Sequence, residues 1–391
     1  MTSRELKQKA WQAIREQETR WTELALYILE HPELGYQEVE SSRALIDALE
    51  EGGFKIEQPY GGLETAFRAQ ASNGRGPALA FLAEYDALPG VGHGCGHNLI
   101  GTAAVAAALG VAAVLDSISG TISVIGTPAE EYNGEEEGKI KLLRAGAFAG
   151  LSAAIMLHPN YYRQVLARDL GFIACEFRFT GRAAHASADP WNGRNALDGL
   201  LATFNNINAL RQQVQPHVRI HGIITDGGRA PNIIPETAEA QFMVRAEDPE
   251  TLEQVYSRVC DCARAGALAS GTEVEIHEIT TVYNTRINPT LNQLVVDNYR
   301  EIGLQMSAPP RLMDASSDFG NVSQEIPAVM FMIESHPEGI PWHSVDVAKA
   351  SGEEKALQAM LDGACVMAGI ALDLLTDEAL LTQVREDFER K

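Results

Sequence analysis

Positive charge is scarce in this chain: 31 Lys and Arg face 53 Asp and Glu, a formal net charge of −22. Phosphate backbones are bound through basic patches, so nucleic acid is excluded as a partner, and an anionic membrane surface is disfavoured with it. An acidic balance of this size chiefly confers solubility. Cysteine is sparse as well. Cys95, Cys175, Cys260, Cys262 and Cys365 are scattered, odd in number and without a Cys-x-x-Cys pair. A disulfide framework is excluded, because a chain of 391 residues needs no covalent staples. Long hydrophobic runs are also missing. Met1 to Gln17 is polar and charged, with no signal core. The longest apolar stretch read here, around Ala103 to Leu115, is Ala/Gly-rich and too short to span a bilayer. No internal repeat or low-complexity linker stands out. The expectation is a soluble, cytoplasmic protein with no membrane partner.

What is present is a core-forming chain, 45% hydrophobic, and long enough for two domains. Residues 4–50 read as amphipathic helix, broken near His31-Pro32 where proline ends a helix or opens a turn. Strands are expected at Ala78–Leu82, Thr121–Ile125 and Ser152–Leu157, with helices at about Leu99–Leu115 and Lys139–Ala147 between them. Such alternation predicts an α/β sheet covered by helices. The pattern changes near Gly171. Strands at Phe172–Thr180, Val218–Thr225, Glu239–Arg245 and Glu273–Ile279 surround helices at about Asn195–Gln212 and Pro249–Leu268. That order, βαββαβ, fits a ferredoxin-like α+β module. Beyond Tyr283 the first pattern resumes, including a strand at Ala328–Ile333. The simplest architecture is an α/β domain in two parts, 1–171 and 283–391, with a second domain, 172–282, inserted between them.

Four apolar strands of the outer domain end in polar groups of similar kind. After Leu82 come Glu84-Tyr85-Asp86 and then His93-Gly-Cys95-Gly-His97-Asn98. After Ile125 come Glu130 and Glu131, after Leu157 comes His158, and after Ile333 come Glu334, His336 and Trp342-His343. Open α/β sheets bind ligands beyond the carboxyl ends of their strands, so these groups converge by topology. Thiolate, imidazole and carboxylate together suit zinc or a similar divalent ion. An adjacent cation also gives Cys95 a reason to ionise, and the flanking glycines let the backbone turn tightly around it. The pair Glu130 and Glu131 permits one carboxylate on metal and the other free as general base. Singly these features are weak, since buried Cys, satisfied His and solvated glutamates at a helix start are all common. Their coincidence at four strand ends points to a metal site. A cysteine nucleophile is the competing chemistry, and it leaves Glu130, Glu131, His158 and His343 without a role.

Several blocks carry a family resemblance. Asp86-Ala-Leu-Pro, Gly94-Cys-Gly-His-Asn98, Pro128-Ala-Glu-Glu131 and His158-Pro159 resemble the catalytic half of the aminoacylase-type metallopeptidases. Gly181-Arg-Ala-Ala-His185-Ala, Pro190-Trp-Asn-Gly-Arg-Asn-Ala196 and Ala230-Pro-Asn232-Ile-Ile-Pro235 resemble that family's inserted lid and dimerisation domain. Ser316-Ser-Asp318-Phe-Gly-Asn-Val-Ser323 and His343-Ser344 complete the series, in the family's order and over nearly the whole chain. The nearest branch includes indole-acetyl-amino-acid hydrolases, p-aminobenzoyl-glutamate hydrolase and β-alanyl-dipeptide hydrolases.

The resemblance implies Cys95, His97, Glu131, His158 and His343 as ligands of two divalent ions, zinc or manganese. It implies Glu130 as general base and Asp86 as the carboxylate orienting His97. His185 matches the lid histidine that in family dimers reaches the other protomer's site, and Asn232 and Arg245 match lid positions touching substrate. The implied reaction is hydrolysis of a peptide-like amide in a small N-acyl amino acid or dipeptide by a homodimer. A dipeptidase or desuccinylase of the same chemistry, or a non-catalytic assembly protein on the same fold, are the alternatives. His336 rivals His343 as the last ligand, and Asp318 reads as structural. His93, His217, His221 and His277 are assigned to packing or surface, and Arg245 has Glu247 or Asp248 as ordinary partners. Two departures stand out. Tyr132-Asn-Gly-Glu-Glu-Glu-Gly138 is longer and more acidic than the short glycine run of many relatives, and is expected to shape substrate access or discourage anionic leaving groups. Asn288 stands where some glutamate-specific relatives carry a carboxylate-binding arginine, with Arg286 nearby as a substitute.

Overall fold

The computed structural model describes residues 1–131, 134–312 and 315–390. The amino-terminal part begins with α1 (Ser3–Glu16), α2 (Glu18–Glu30) and α3 (Val39–Glu51). Thr2 and Glu5 form a reciprocal capping box on the first of these, satisfying two otherwise orphan backbone donors. Strands β1 (Lys55–Glu57), β2 (Phe67–Asn73) and β3 (Ala78–Ala83) lead into α4 (His97–Ala112). Then come β4 (Gly120–Gly126), α5 (Gly138–Arg144), β5 (Ala153–Asn160) and β6 (Gln164–Arg168).

The second group is β7 (Gly171–Thr180), α6 (Ala196–Leu210), β8 (Arg219–Asp226), β9 (Thr237–Ala246), α7 (Pro249–Ser270) and β10 (Glu273–Val282). The chain returns through α8 (Pro289–Glu301), β11 (Arg311–Leu312), α9 (Phe319–Glu325) and β12 (Ala328–Glu334). It closes with α10 (Val345–Ala350), α11 (Glu354–Thr376) and α12 (Glu378–Glu389).

The larger sheet runs β1-β2-β4-β3-β5-β12-β6-β11. Its four central strands, β4, β3, β5 and β12, are mutually parallel. They are the four strands whose ends carry the His, Cys and carboxylate groups, so all four deliver them to one edge. Strands buried on both faces read as continuous apolar runs, and β3, β5 and β12 are buried along most of their length. Helix α4 is small and apolar on every side, which lets it lie against the sheet and beneath α1 and α11 at once. Each large apolar side chain buried here contributes roughly 1.5–3 kcal/mol.

The smaller sheet is antiparallel in the order β10-β7-β9-β8, with α6 and α7 packed together on it. With βαββαβ connectivity this is the ferredoxin-like arrangement. It has its own core, built on Phe177, Phe179, Phe242, Leu200 and Val259.

Two features differ from expectation. Among the described residues one helix, α11, is long and apolar enough to cross a membrane, yet 78% of that window is buried. It is a core helix of the larger domain: from Met360 onward it is buried along most of its length, while Glu354, Lys355 and Gln358 in its first turns are exposed. In addition β5 extends through His158 and Pro159, paired with Met332 and Ile333 of β12, so His158 sits within its strand.

Candidate metal centre

The loop after β3 is extended, which turns Glu84 and Asp86 to one side and Tyr85 to the other. Tyr85 Oη donates to the Thr65 carbonyl at 2.6 Å in the core, while both carboxylates meet His97. Asp86 Oδ1 lies 2.9 Å from His97 Nδ1, and its Oδ2 accepts the Glu131 amide at 3.0 Å. One buried carboxylate thus ties the helix carrying His97 to the loop carrying Glu130 and Glu131. That loop is held from behind as well. Glu38, fully buried, accepts the Ala129 amide at 2.8 Å and the Thr65 hydroxyl at 2.8 Å.

Backbone strain collects around this loop. Three non-glycine residues have positive φ among those described, and two of them are Ala129 (55°) and His343 (57°). Such conformations persist only where surrounding contacts enforce them, and they cluster at functional sites. Gly96, at φ 74°, caps α4 and passes so close to Pro159 that a Cβ would sit 2.8 Å from its ring. Gly138 is tighter still: a Cβ there would lie 1.8 Å from the Pro128 carbonyl oxygen. Gly138→Ala should therefore push the Glu130–Glu131 loop and destabilise the protein by at least about 2 kcal/mol, read by urea denaturation. An unchanged midpoint would show that the loop yields freely.

The predicted ligand atoms converge. Cys95, His97 and His158 offer donors within 4.8 Å of one another, as do Cys95, Glu131 and His343, and again His97, Glu130 and Glu131. Cys95 Sγ is 3.6 Å from His158 Nε2, and His343 Nε2 is 3.6 Å from Glu131 Oε2. Among the described residues His97 Nε2 and Glu131 Oε1 are buried without a hydrogen-bond partner. Orphaned donors and acceptors of this kind, in a set of one thiol, three imidazoles and a carboxylate, are what a pair of divalent ions would satisfy. His336, the rival of His343, is spoken for. Its Nδ1 is 2.7 Å from Ser335 Oγ and its Nε2 3.0 Å from Ser351 Oγ. Burial pushes the Cys95 thiol up, and Glu131 pushes it further. That is the opposite of what a thiolate nucleophile requires without an added cation.

Behind the ligands lies a buried ion cluster that the residue types alone do not reveal. Lys139 Nζ is 2.6 Å from Glu84 Oε1 and 2.6 Å from Asp318 Oδ1, with all three side chains buried. Burial disfavours the Lys139 ammonium, but Asp318 and Glu84 outweigh it and raise its pKa. Burial pushes Asp318 up to about 6 despite Lys139. Glu84, Glu130 and Asp318 oxygens lie within 4.8 Å of one another. Burial, with Glu84 and then Glu131 adding to it, holds Glu130 well above the usual carboxylate range.

A cavity of about 620 Å³ opens over these groups. The larger domain contributes Cys95, Glu130, Glu131, His158, Trp342 and His343, and the inserted layer contributes Phe172, Met243, Arg245 and Val282. Arg245 reaches Ser316 Oγ at 2.9 Å and stacks over Phe172 at 5.1 Å. It forms no ion pair among the described residues: Glu247 is taken by Arg168, and Asp248 caps α7. His185 and Asn232 lie on the inserted layer outside this cavity. Arg286 is also remote. It stacks on Phe388 at 4.3 Å and donates to carbonyls near the carboxyl terminus, so it is no substitute carboxylate binder. Of the acidic segment, Tyr132 and Asn133 lie outside the described residues, Glu136 pairs with Arg144, and Glu137 lines the cavity.

Residues 80–372 match peptidase family M20/M25/M40. The chain is 38% identical to the Xaa-Arg dipeptidase of Mus musculus over 99% of its own length and 93% of that protein's. It is 29% identical to one of the p-aminobenzoyl-glutamate hydrolase subunits of Escherichia coli, covering 97% of this chain and 94% of that one. A solved dinuclear metal binding peptidase of the M20 family from Bacillus subtilis superposes with a TM-score of 0.70 at 21% identity, over 92% of this chain and 99% of that one. The chain belongs to peptidase family M20/M25/M40 and is a metal-dependent hydrolase of amide bonds in small substrates.

Proposed function

We propose that this protein is a dipeptidase that uses two divalent ions, zinc or manganese, and releases a basic carboxyl-terminal residue. The observation that carries the reading is the convergence of Cys95, His97, Glu131, His158 and His343 beside a further carboxylate, Glu130, with all of them but the buried His97 lining one cavity. Similarity to an Xaa-Arg dipeptidase over almost the full length of both chains supports the substrate class.

In this reading the five residues hold the ions, and Asp86 fixes the orientation of His97 through Nδ1. Bound divalent ions supply Lewis acidity, polarising an amide carbonyl and easing the loss of a proton from water. Glu130 takes that proton and hands it to the leaving amine. Arg245, a half-buried cation with no carboxylate partner among the described residues, takes the substrate carboxylate. Residues 172–282 act as a lid. His185 and Asn232 serve the cavity of a second copy in a homodimer, His185 supporting the developing oxyanion. Ile223 and Ile224, 63% and 41% exposed on edge strand β8, suit such pairing. The cytoplasm, where thiols stay reduced, suits the five free cysteines.

The deciding experiment is hydrolysis of a panel of dipeptides, N-acyl amino acids and p-aminobenzoyl-glutamate by enzyme loaded with zinc, manganese or cobalt. The reading expects turnover of dipeptides ending in arginine or lysine, abolished by chelation. Turnover undiminished by exhaustive chelation would sink it. Cys95→Ala should lower the bound metal to about half of the wild-type stoichiometry or less, measured by inductively coupled plasma analysis. Full loading would remove Cys95 from the ligand set.

A further inference from the structure

The cavity contains a carboxylate that the hydrolytic reading does not use. Glu137 precedes α5 but makes no capping bond to it. Its side chain turns instead toward the inserted layer, where Oε2 accepts a hydrogen bond from the Thr280 hydroxyl of β10. Glu137 is 3% exposed and lines the cavity, yet its Oε1 has no hydrogen-bond partner among the described residues. The Thr280 bond accounts for one oxygen as a tie between the two layers. It gives no reason to bury the second.

Among the described residues no cation forms an ion pair with this group. The closest buried cation in the sequence, Lys139, is committed to Glu84 and Asp318 at 2.6 Å each. Arg245 lines the same cavity, but its bonds go to Ser316, His221 and Met243. Burial pushes Glu137 up to about 7 and Asp318 adds to the shift, the signature of a carboxylate lacking a cation. Gln164, 4% exposed, also lines this cavity and has a buried side-chain oxygen without a hydrogen-bond partner among the described residues. Apolar side chains, Phe172, Val282 and Met330 among them, line the same cavity. An alkyl stem ending in a multiply donating cation fits such a lining, since long basic side chains bury their methylenes against apolar surface.

We propose that Glu137 takes the cationic side chain of the substrate's carboxyl-terminal residue and so determines specificity for basic dipeptides. The proposal rests on the dipeptidase reading above. It divides the two charges of a carboxyl-terminal arginine or lysine between opposite partners: the carboxylate goes to Arg245, the side-chain cation to Glu137. It also gives the acidic segment after Glu131 a function, because Glu137 is its one member that lines this cavity among the described residues.

The test uses metal-loaded enzyme and two product-like inhibitors of nearly equal shape, L-arginine and its uncharged analogue L-citrulline, against hydrolysis of Ala-Arg and Ala-Leu. Wild type should bind L-arginine roughly a hundredfold more tightly than L-citrulline, and Glu137→Gln should bring the two within about threefold. The kcat/KM ratio of Ala-Arg to Ala-Leu should fall by a similar factor in the variant. Glu137→Asp, which keeps the charge, should lose only about tenfold and serves if the Gln variant does not fold. Equal inhibition by both amino acids in an enzyme that cleaves dipeptides overturns the role of Glu137 while the dipeptidase reading stands. An unchanged preference in both variants does the same. Wild-type enzyme that cleaves no dipeptide overturns both.

Discussion

Glu130→Gln is expected to keep the full metal content of the wild type and to lose roughly a thousandfold or more in kcat. The separation follows from geometry. Glu130 shares a donor cluster with His97 and Glu131, but the groupings that complete the site around Cys95 are built from His97, His158, Glu131 and His343. Its Oε2 stands 3.8 Å from His97 Nε2, beside that donor atom and too far to bond to the ring. Glutamine preserves the shape and one acceptor and removes the capacity to carry a proton. Burial, Glu84 and Glu131 all raise the proton affinity of Glu130, whereas divalent charge beside it lowers that affinity. A base balanced between such opposing influences can both accept a proton and release it. Metal analysis and steady-state kinetics on the same preparation check the expectation. Turnover near the wild-type rate would assign the proton transfer elsewhere, and loss of metal would make Glu130 a ligand.

The residues that touch the cavity floor were legible because they obey two local rules. They stand at or just beyond the carboxyl ends of apolar strands, His158 within the paired end of β5 and the others after their strands. Those strands are parallel neighbours, so Cys95, Glu131, His158 and His343 meet although 248 positions separate the first from the last. The ferredoxin-like layer was legible from its βαββαβ order, which leaves few ways to pair four strands. Lys139 was not. A lysine between glycine and isoleucine, after three glutamates, reads as a solvated helix start, and its buried partners Glu84 and Asp318 are remote in sequence. Glu38 was hidden for a similar reason, its partners Thr65 and Ala129 being remote in sequence. Glu84 could have been found, since it shares a strand face with Asp86 at a spacing of two. Helix α11 is hard to read from sequence because from Met360 onward it is buried almost throughout, leaving little of the polar face that marks amphipathic helices.

Lys139→Met should destabilise the folded protein by about 3–5 kcal/mol at pH 8 and by distinctly less near pH 5. The side chains are of similar length, so little packing is lost. What changes is that Glu84 and Asp318 remain buried at one end of the site with no cation between them. The sign of the pH dependence follows from the carboxylates. Burial already holds Asp318 up to about 6 with the ammonium present. Burial acts on Glu84 in the same direction, and it is Lys139, helped by His97 and His158, that brings it below its ordinary value. Without Lys139 both folded-state values move upward. A group whose folded pKa exceeds its unfolded one binds more protons when folded, so stability falls as pH rises through that interval. The deficit of the variant therefore grows between about pH 4 and pH 8, while the Lys139 contribution itself is constant there, being lost only above the ordinary lysine range. Urea denaturation of both proteins at pH 5 and pH 8 measures the difference. A deficit independent of pH would mean that packing around the Lys139 stem, and not its charge, holds Glu84 and Asp318 behind Glu130.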